Sequence, residues 1–144
     1  MIDTTTTPPS EQTRIKAGAS PYGVAVAPDG KLAYVTNLND GTVSVIDTTT
    51  VPPSEKTKIT AGASPAGVAV TPDGKHVYVV NQVSGSGTVS VIDTAATPPS
   101  VKATVTVGSI PTAVAITPDG KHAYVTNNGT GTVSVIDTTT IPRP

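Results

Sequence analysis

The sequence contains no cysteine, no phenylalanine and no tryptophan. The first absence excludes disulfides, a thiol nucleophile and any thiolate metal site. The other two leave four tyrosines as the whole aromatic complement, so a core must be assembled from valine, isoleucine and alanine in thin layers. Charge is scarce and balanced, nine Lys and Arg against ten Asp and Glu for a net of −1. Nucleic acid and anionic membrane surfaces both demand a basic footprint, so neither is expected as a partner. No apolar run of 18 residues exists, which predicts no membrane insertion. The opening residues are threonine- and proline-rich and carry no apolar signal core, which predicts no signal peptide within this chain.

Glycine and proline are plentiful, 13 and 14 residues, so turns should be frequent and helices few. The 144 residues suit one domain, and that domain is repetitive. "TVSVIDT" stands at 42–48, 88–94 and 132–138, and "PDGK" at 28–31, 72–75 and 118–121. Ile2, Ile46, Ile92 and Ile136 are equivalent, at spacings of 44, 46 and 44 residues. The longer middle copy carries its two extra residues in one loop, "NQVSGSG" against "NLNDG" and "NNGTG".

Each repeat reads as four short strands. In "GVAVAP" (23–28) the valines alternate with alanines, so one face is large, the other small, and neither is polar. Such a strand is expected to be buried on both sides. "PDGK" then reads as an Asp-Gly hairpin, with Gly30 at positive φ and Asp29 able to adopt it. "LAYVTN" (32–37) and "TVSVID" (42–47) follow as second and third strands, and a long connection leads to a polar fourth, "KTKITAG" (56–62). Polarity rises from first strand to fourth, as it should if the first is central and the fourth lies at a rim. Four antiparallel strands repeating at about 44 residues predict an all-β fold, a β-propeller with three blades in this chain. A β-solenoid needs a shorter period and parallel strands.

"YVTN" at 34–37 and 124–127, with "YVVN" at 78–81, stands between "SPxGVAVxPDGK" and "TVSVIDT". This pattern resembles the YVTN family of β-propeller repeats and covers essentially the whole chain. The resemblance implies a surface-layer or otherwise exported parent protein, hence an extracellular or cell-surface setting. More remotely the chain is similar to lactonase-type and quinoprotein-like propellers. Family propellers usually carry about seven blades, against three here, and the near-identity of the copies fits recent duplication, an excerpt or an engineered chain.

"QTRIKAG" (12–18) matches the outer strand of the other repeats, so the order reads as one outer strand (1–21), two complete blades (22–65 and 66–111) and a blade lacking its fourth strand (112–144). Propellers close with 4–8 blades. Two chains joined head to tail give six and three give nine, so the expected partner is a second copy in a homodimer closed by strand exchange, with the trimer less favoured. A truncated array that stays open is the competing outcome.

Chemistry is sparse. His76 and His122 share a repeat position with Leu32, which marks a packing or surface position, so no metal site and no cofactor are expected. Asp29, Asp73 and Asp119 belong to the hairpins, while Asp47, Asp93 and Asp137 end the third strands. The loops before the first strand, "GASPYG", "GASPAG" and "GSIPTA", and those after the second differ most between copies and should share one face. They offer Tyr22, Asn39, Asp40, Gln82 and Asn128 as candidate ligand-binding residues, with Tyr22 placed to stack on a sugar or other planar group. The inner strands supply only Val, Ala, Ile and Thr, so no catalytic residue is assigned. A non-catalytic binding or structural module is expected, the alternative being a lactonase- or quinoprotein-like enzyme fragment with its ligand at the channel mouth.

Overall fold

The structure, a computed structural model, describes residues 1–5, 8 and 10–141. It begins with a small hairpin, β1 (Ile2–Asp3) on β2 (Ser10–Glu11). Three antiparallel meanders follow. The first runs β3 (Pro21–Val26), β4 (Leu32–Asn37), β5 (Thr42–Asp47), β6 (Ser54–Thr60). The second runs β7 (Pro65–Val70), β8 (His76–Asn81), β9 (Thr88–Asp93), β10 (Ser100–Thr106). The third has β11 (Pro111–Ile116), β12 (His122–Asn127) and β13 (Thr132–Asp137), then one 3₁₀ turn at Thr138–Thr140. The first strands β3, β7 and β11 lie side by side, and the outer strands β6 and β10 touch at the far edge. These are blades fanned about an inner edge.

The repeat sets the register. β4 pairs with β5 and β12 with β13 at equivalent residues, Tyr34 opposite Val45 and Tyr124 opposite Val135. β5–β6 and β9–β10 share one bulge at the same place, which lets a polar outer strand bend round the edge. In the hairpins at "PDGK" Gly30, Gly74 and Gly120 carry positive φ as expected (73°, 72° and 71°), whereas the aspartates, expected to share it, do not. Gly30 N–H bonds the Ala27 carbonyl at 2.8 Å, so Pro28 and Asp29 are the central pair of the turn and glycine follows in the left-handed region. The Asp29, Asp73 and Asp119 carboxylates each accept the amide of the following Lys31, Lys75 or Lys121 at 3.0 Å.

Between the first two sheets, Tyr34, Val43, Val45, Ile59 and Ala61 pack on Val77, Val79 and Ile92, flanked by Val68 and Val70. Between the second and third, Tyr78, Val80, Val89 and Val91 pack on Ala123, Val125 and Ile136, flanked by Val114 and Ile116. Each large side chain so covered contributes about 1.5–3 kcal/mol of hydrophobic transfer. The small face admits the large one: a methyl on Gly23 would fall 3.3 Å from Val68 Cγ1 and 2.5 Å from the Ala66 carbonyl oxygen. Two hydroxyls stitch the first junction, Thr36 Oγ1 donating to Ala66 O and Ser90 Oγ to Ala61 O, both at 2.6 Å.

Two expectations are corrected. β3 is not buried on both sides, because among the described residues no sheet covers the outer face of the first meander, and Val24 and Val26 are 67% and 57% exposed. Residues 12–17 lie outside any sheet, and the strand expected there shrinks to Ser10–Glu11. An outer strand exists only against a third strand, and here that neighbour is two residues long. The other outer strands begin at Ser54 and Ser100 and so extend further back than the polar run suggests.

Candidate functional site

The loops before the first strands and after the second strands do share one end of the sheets, and one device holds each pair together. Ser20, Ser64 and Ile110 adopt positive φ (55°, 51° and 49°). This turns their carbonyls toward the neighbouring loop, where they accept the amides of Leu38, Gln82 and Asn128 at 2.9, 2.9 and 3.0 Å. Serine tolerates that conformation moderately, whereas a β-branched residue is strained in it. Replacing Ile110 with serine, as the other two repeats have it, is expected to raise stability by about 1 kcal/mol; thermal unfolding that stays the same or worsens would show that Ile110 gains more from packing than it loses in strain.

Deeper in each loop pair sits a buried asparagine. Asn37, Asn81 and Asn127 are 0%, 3% and 2% exposed. Each side-chain amide donates to two hydroxyls of the third strand: Thr42 and Ser44, Thr88 and Ser90, or Thr132 and Ser134, at 2.9–3.1 Å. Asn37 Oδ1 also accepts the Gly18 amide at 3.0 Å. These residues act structurally: all three hold strand hydroxyls, and Asn37 holds loop backbone as well.

The five candidate ligand residues part company. Asp40 Oδ2 accepts the Ala19 amide at 2.7 Å, and Asn39 Nδ2 donates to Ser20 Oγ at 2.7 Å, so both serve the loop beside them. Gln82 and Asn128 occupy one equivalent position in successive blades, held through their backbone amides. Tyr22 lies in β3 and is 63% exposed, where the second blade has the fully buried Ala66. It stands on the bare outer face of the first sheet, away from that group.

The remaining carboxylates are occupied too. Asp47 Oδ1 accepts the Thr49 amide and hydroxyl at 2.8 and 2.6 Å, and Asp137 does the same with Thr139. Asp73 and Asp119 accept the Thr71 and Thr117 hydroxyls at 2.6 Å. Those hydroxyl bonds are the leading cause that holds the four carboxyls below their ordinary value of 3.8. A folded-state value below the unfolded one gives stability that is present above pH 3.8 and lost as pH falls below it. Melting temperature is therefore expected to fall on acidification below about pH 4, less steeply in Thr71→Val, which removes the Asp73 partner. Acid unfolding identical in the two proteins would contradict this. Among the described residues no group of three or more His, Asp or Glu is placed to hold a metal ion.

Two grooves lie elsewhere. One, of about 410 Å³, opens between the second and third sheets at the hairpin end, lined by Asp73, Lys75, Asp119, Lys121 and Thr138 among others. The other, of about 450 Å³, runs between β10 and β13, lined by Val105, Val107, Ser134, Val135 and Ile136. Neither was marked by the loop variation that selected the five candidates. The repeated charged "PDGK" was the available signal for the first.

The family described as "Lactonase, 7-bladed beta-propeller" matches residues 2–140, and the chain belongs to that family. Solved structures share the fold, three of them as follows. Hydrazine synthase of Kuenenia stuttgartiensis is 30% identical, with a TM-score of 0.76 over 90% of this chain and 36% of that one. A 6-phosphogluconolactonase candidate from Bacteroides fragilis is 24% identical, with a TM-score of 0.78 over 92% and 38%. Another, from Bacteroides uniformis, is 21% identical, with a TM-score of 0.81 over 93% and 42%. No curated protein sequence matches. The chain spans well under half of each of these structures. The β-propeller expected from the repeats is thereby shown, in the lactonase family. The matches do not bear on the surface-layer setting.

Proposed function

We propose that this chain is a three-blade segment of a lactonase-type propeller, whose ligand site forms at the loop-bearing mouth once further blades complete the ring. The observation that carries the reading is the family match over residues 2–140 in a chain spanning 36–42% of its structural relatives. The mouth loops contain Ser, Asn and Gln but no lysine or arginine. They therefore suit a neutral, hydroxyl-rich ligand such as an unphosphorylated sugar lactone. Asp40 is the one carboxylate in those loops.

A second reading, a binding or structural module without a reaction, is favoured by the carboxylates' hydrogen bonds to backbone and threonine. A general base must be free to accept a substrate proton. δ-Gluconolactone separates the two. Saturable binding by calorimetry, with hydrolysis above the spontaneous rate that Asp40→Asn abolishes, is the expected result. Neither binding nor hydrolysis at millimolar lactone would leave the structural module.

A further inference from the structure

Three surfaces of the molecule are unfinished, and they fit one another. The third sheet shows Tyr124, Val133 and Val135 at 45%, 57% and 57% exposure. Their equivalents Tyr34, Val43 and Val45, and Tyr78, Val89 and Val91, are at most 1% exposed because the next sheet covers them. The first sheet exposes Val24 and Val26, which stand where Val68 and Val70 flank the covered cluster of the first junction. The junction chemistry already made twice inside the chain is thus left half-made at both ends. The third surface is an edge. β13 has no fourth strand among the described residues, and the groove between β10 and β13 lies where that strand would pass.

Residues 14–17 are the matching piece. They belong to no sheet, yet Ile15 and Ala17 are half-buried, and they stand 44 residues before Ile59 and Ala61, which pack on the following blade. The segment is therefore placed as an outer strand against its own first sheet. β1 supports this reading: Ile2 faces Glu11 and Asp3 faces Ser10 in the register that Ile46 and Asp47 take on Glu55 and Ser54. Met1 also bonds Gln12 and Thr13 through its backbone. Met1 and β1 stand where Val135, Ile136 and Asp137 of another third strand would stand.

We propose that a second copy of this chain seats its β13 against residues 10–16, displacing β1, and that the exchange is reciprocal, closing two copies head to tail. Each seam then has a four-stranded blade and an apolar junction. At on the order of 1,000 Å² per seam, the two seams bury ~2,000 Å², the upper end for specific complexes. The seam is not a copy of the internal junctions. Where Gly23 and Gly67 let the next inner strand approach, the third sheet has Ala113, and the residue facing it is Tyr22 in place of Ala66 or Thr112. The inner strands therefore stand further apart at the seam. The reading is independent of any lactone chemistry.

The absence of cysteine gives a clean test of register. Ser44 faces Lys58 within the first sheet, so Ser134 of one copy should face Arg14 of the other. Arg14→Cys with Ser134→Cys, oxidised mildly, is expected to give a covalent dimer in most chains, with the far-UV circular dichroism retained. Lys16→Cys with Ser134→Cys, two residues out of register and beyond the ~7 Å limit for a disulfide, should give less than about a tenth as much. Adding Val133→Lys, at a position already exposed in one chain, should abolish the crosslink. Monomer only, equal crosslinking in both pairs, or a ladder of trimers and longer products would overturn the proposal.

Discussion

Gly67→Ala is expected to lower stability by about 1–3 kcal/mol, the range for forcing an extra methyl into a packed site. The added Cβ would lie 2.7 Å from the Thr112 carbonyl oxygen, 2.8 Å from Ala113 Cα and 3.2 Å from the Val114 nitrogen. All three atoms are backbone, so no side chain can rotate away, and β7 must part from β11. At ~4 °C per kcal/mol for a chain of this length, calorimetry should show a melting temperature lower by several degrees. Ala113→Gly, on a face that no sheet among the described residues covers, should change stability by no more than ~1 kcal/mol. Equal effects at the two positions would mean that the inner strands are not packed as described.

Asn81→Leu should cost about 2–3 kcal/mol. It removes both donors to Thr88 and Ser90, and Ser90 is the residue whose hydroxyl ties the second sheet to the Ala61 carbonyl of the first. The position has no slack either, since a Cβ on Gly62 would fall 2.6–2.8 Å from the Asn81 amide. Asn128→Leu, on the exposed end of the same face, is expected to stay within ~0.5 kcal/mol. Denaturant unfolding of both variants checks the pair, and a loss at Asn128 matching that at Asn81 would contradict the assignment.

The repeat made most of the fold legible. β5, β9 and β13 begin and end where "TVSVID" does, because a short alternating apolar run between turn residues has little freedom of register. What escaped was non-local. A strand with two apolar faces reads as buried, but Val24 is covered only if another sheet arrives. "QTRIKAG" reads as a strand, yet pairing depends on a neighbour that this chain supplies for two residues. The hairpin was legible as a hairpin, and its turn type was not, since "PDGK" allows positive φ at either Asp or Gly and the proline favours the first-turn geometry that leaves it to glycine. The site was legible only as a face. Asn39 and Asp40 look like free polar groups in sequence, and their partners Ser20 and Ala19 lie 19 and 21 residues away.

Sedimentation equilibrium of the unmodified chain across micromolar concentrations tests most directly whether its open faces close on a second copy. The account predicts a single species of twice the 14.4 kDa chain mass. A species that remains at 14.4 kDa throughout, with Val24 and Val133 bare to solvent, would contradict it.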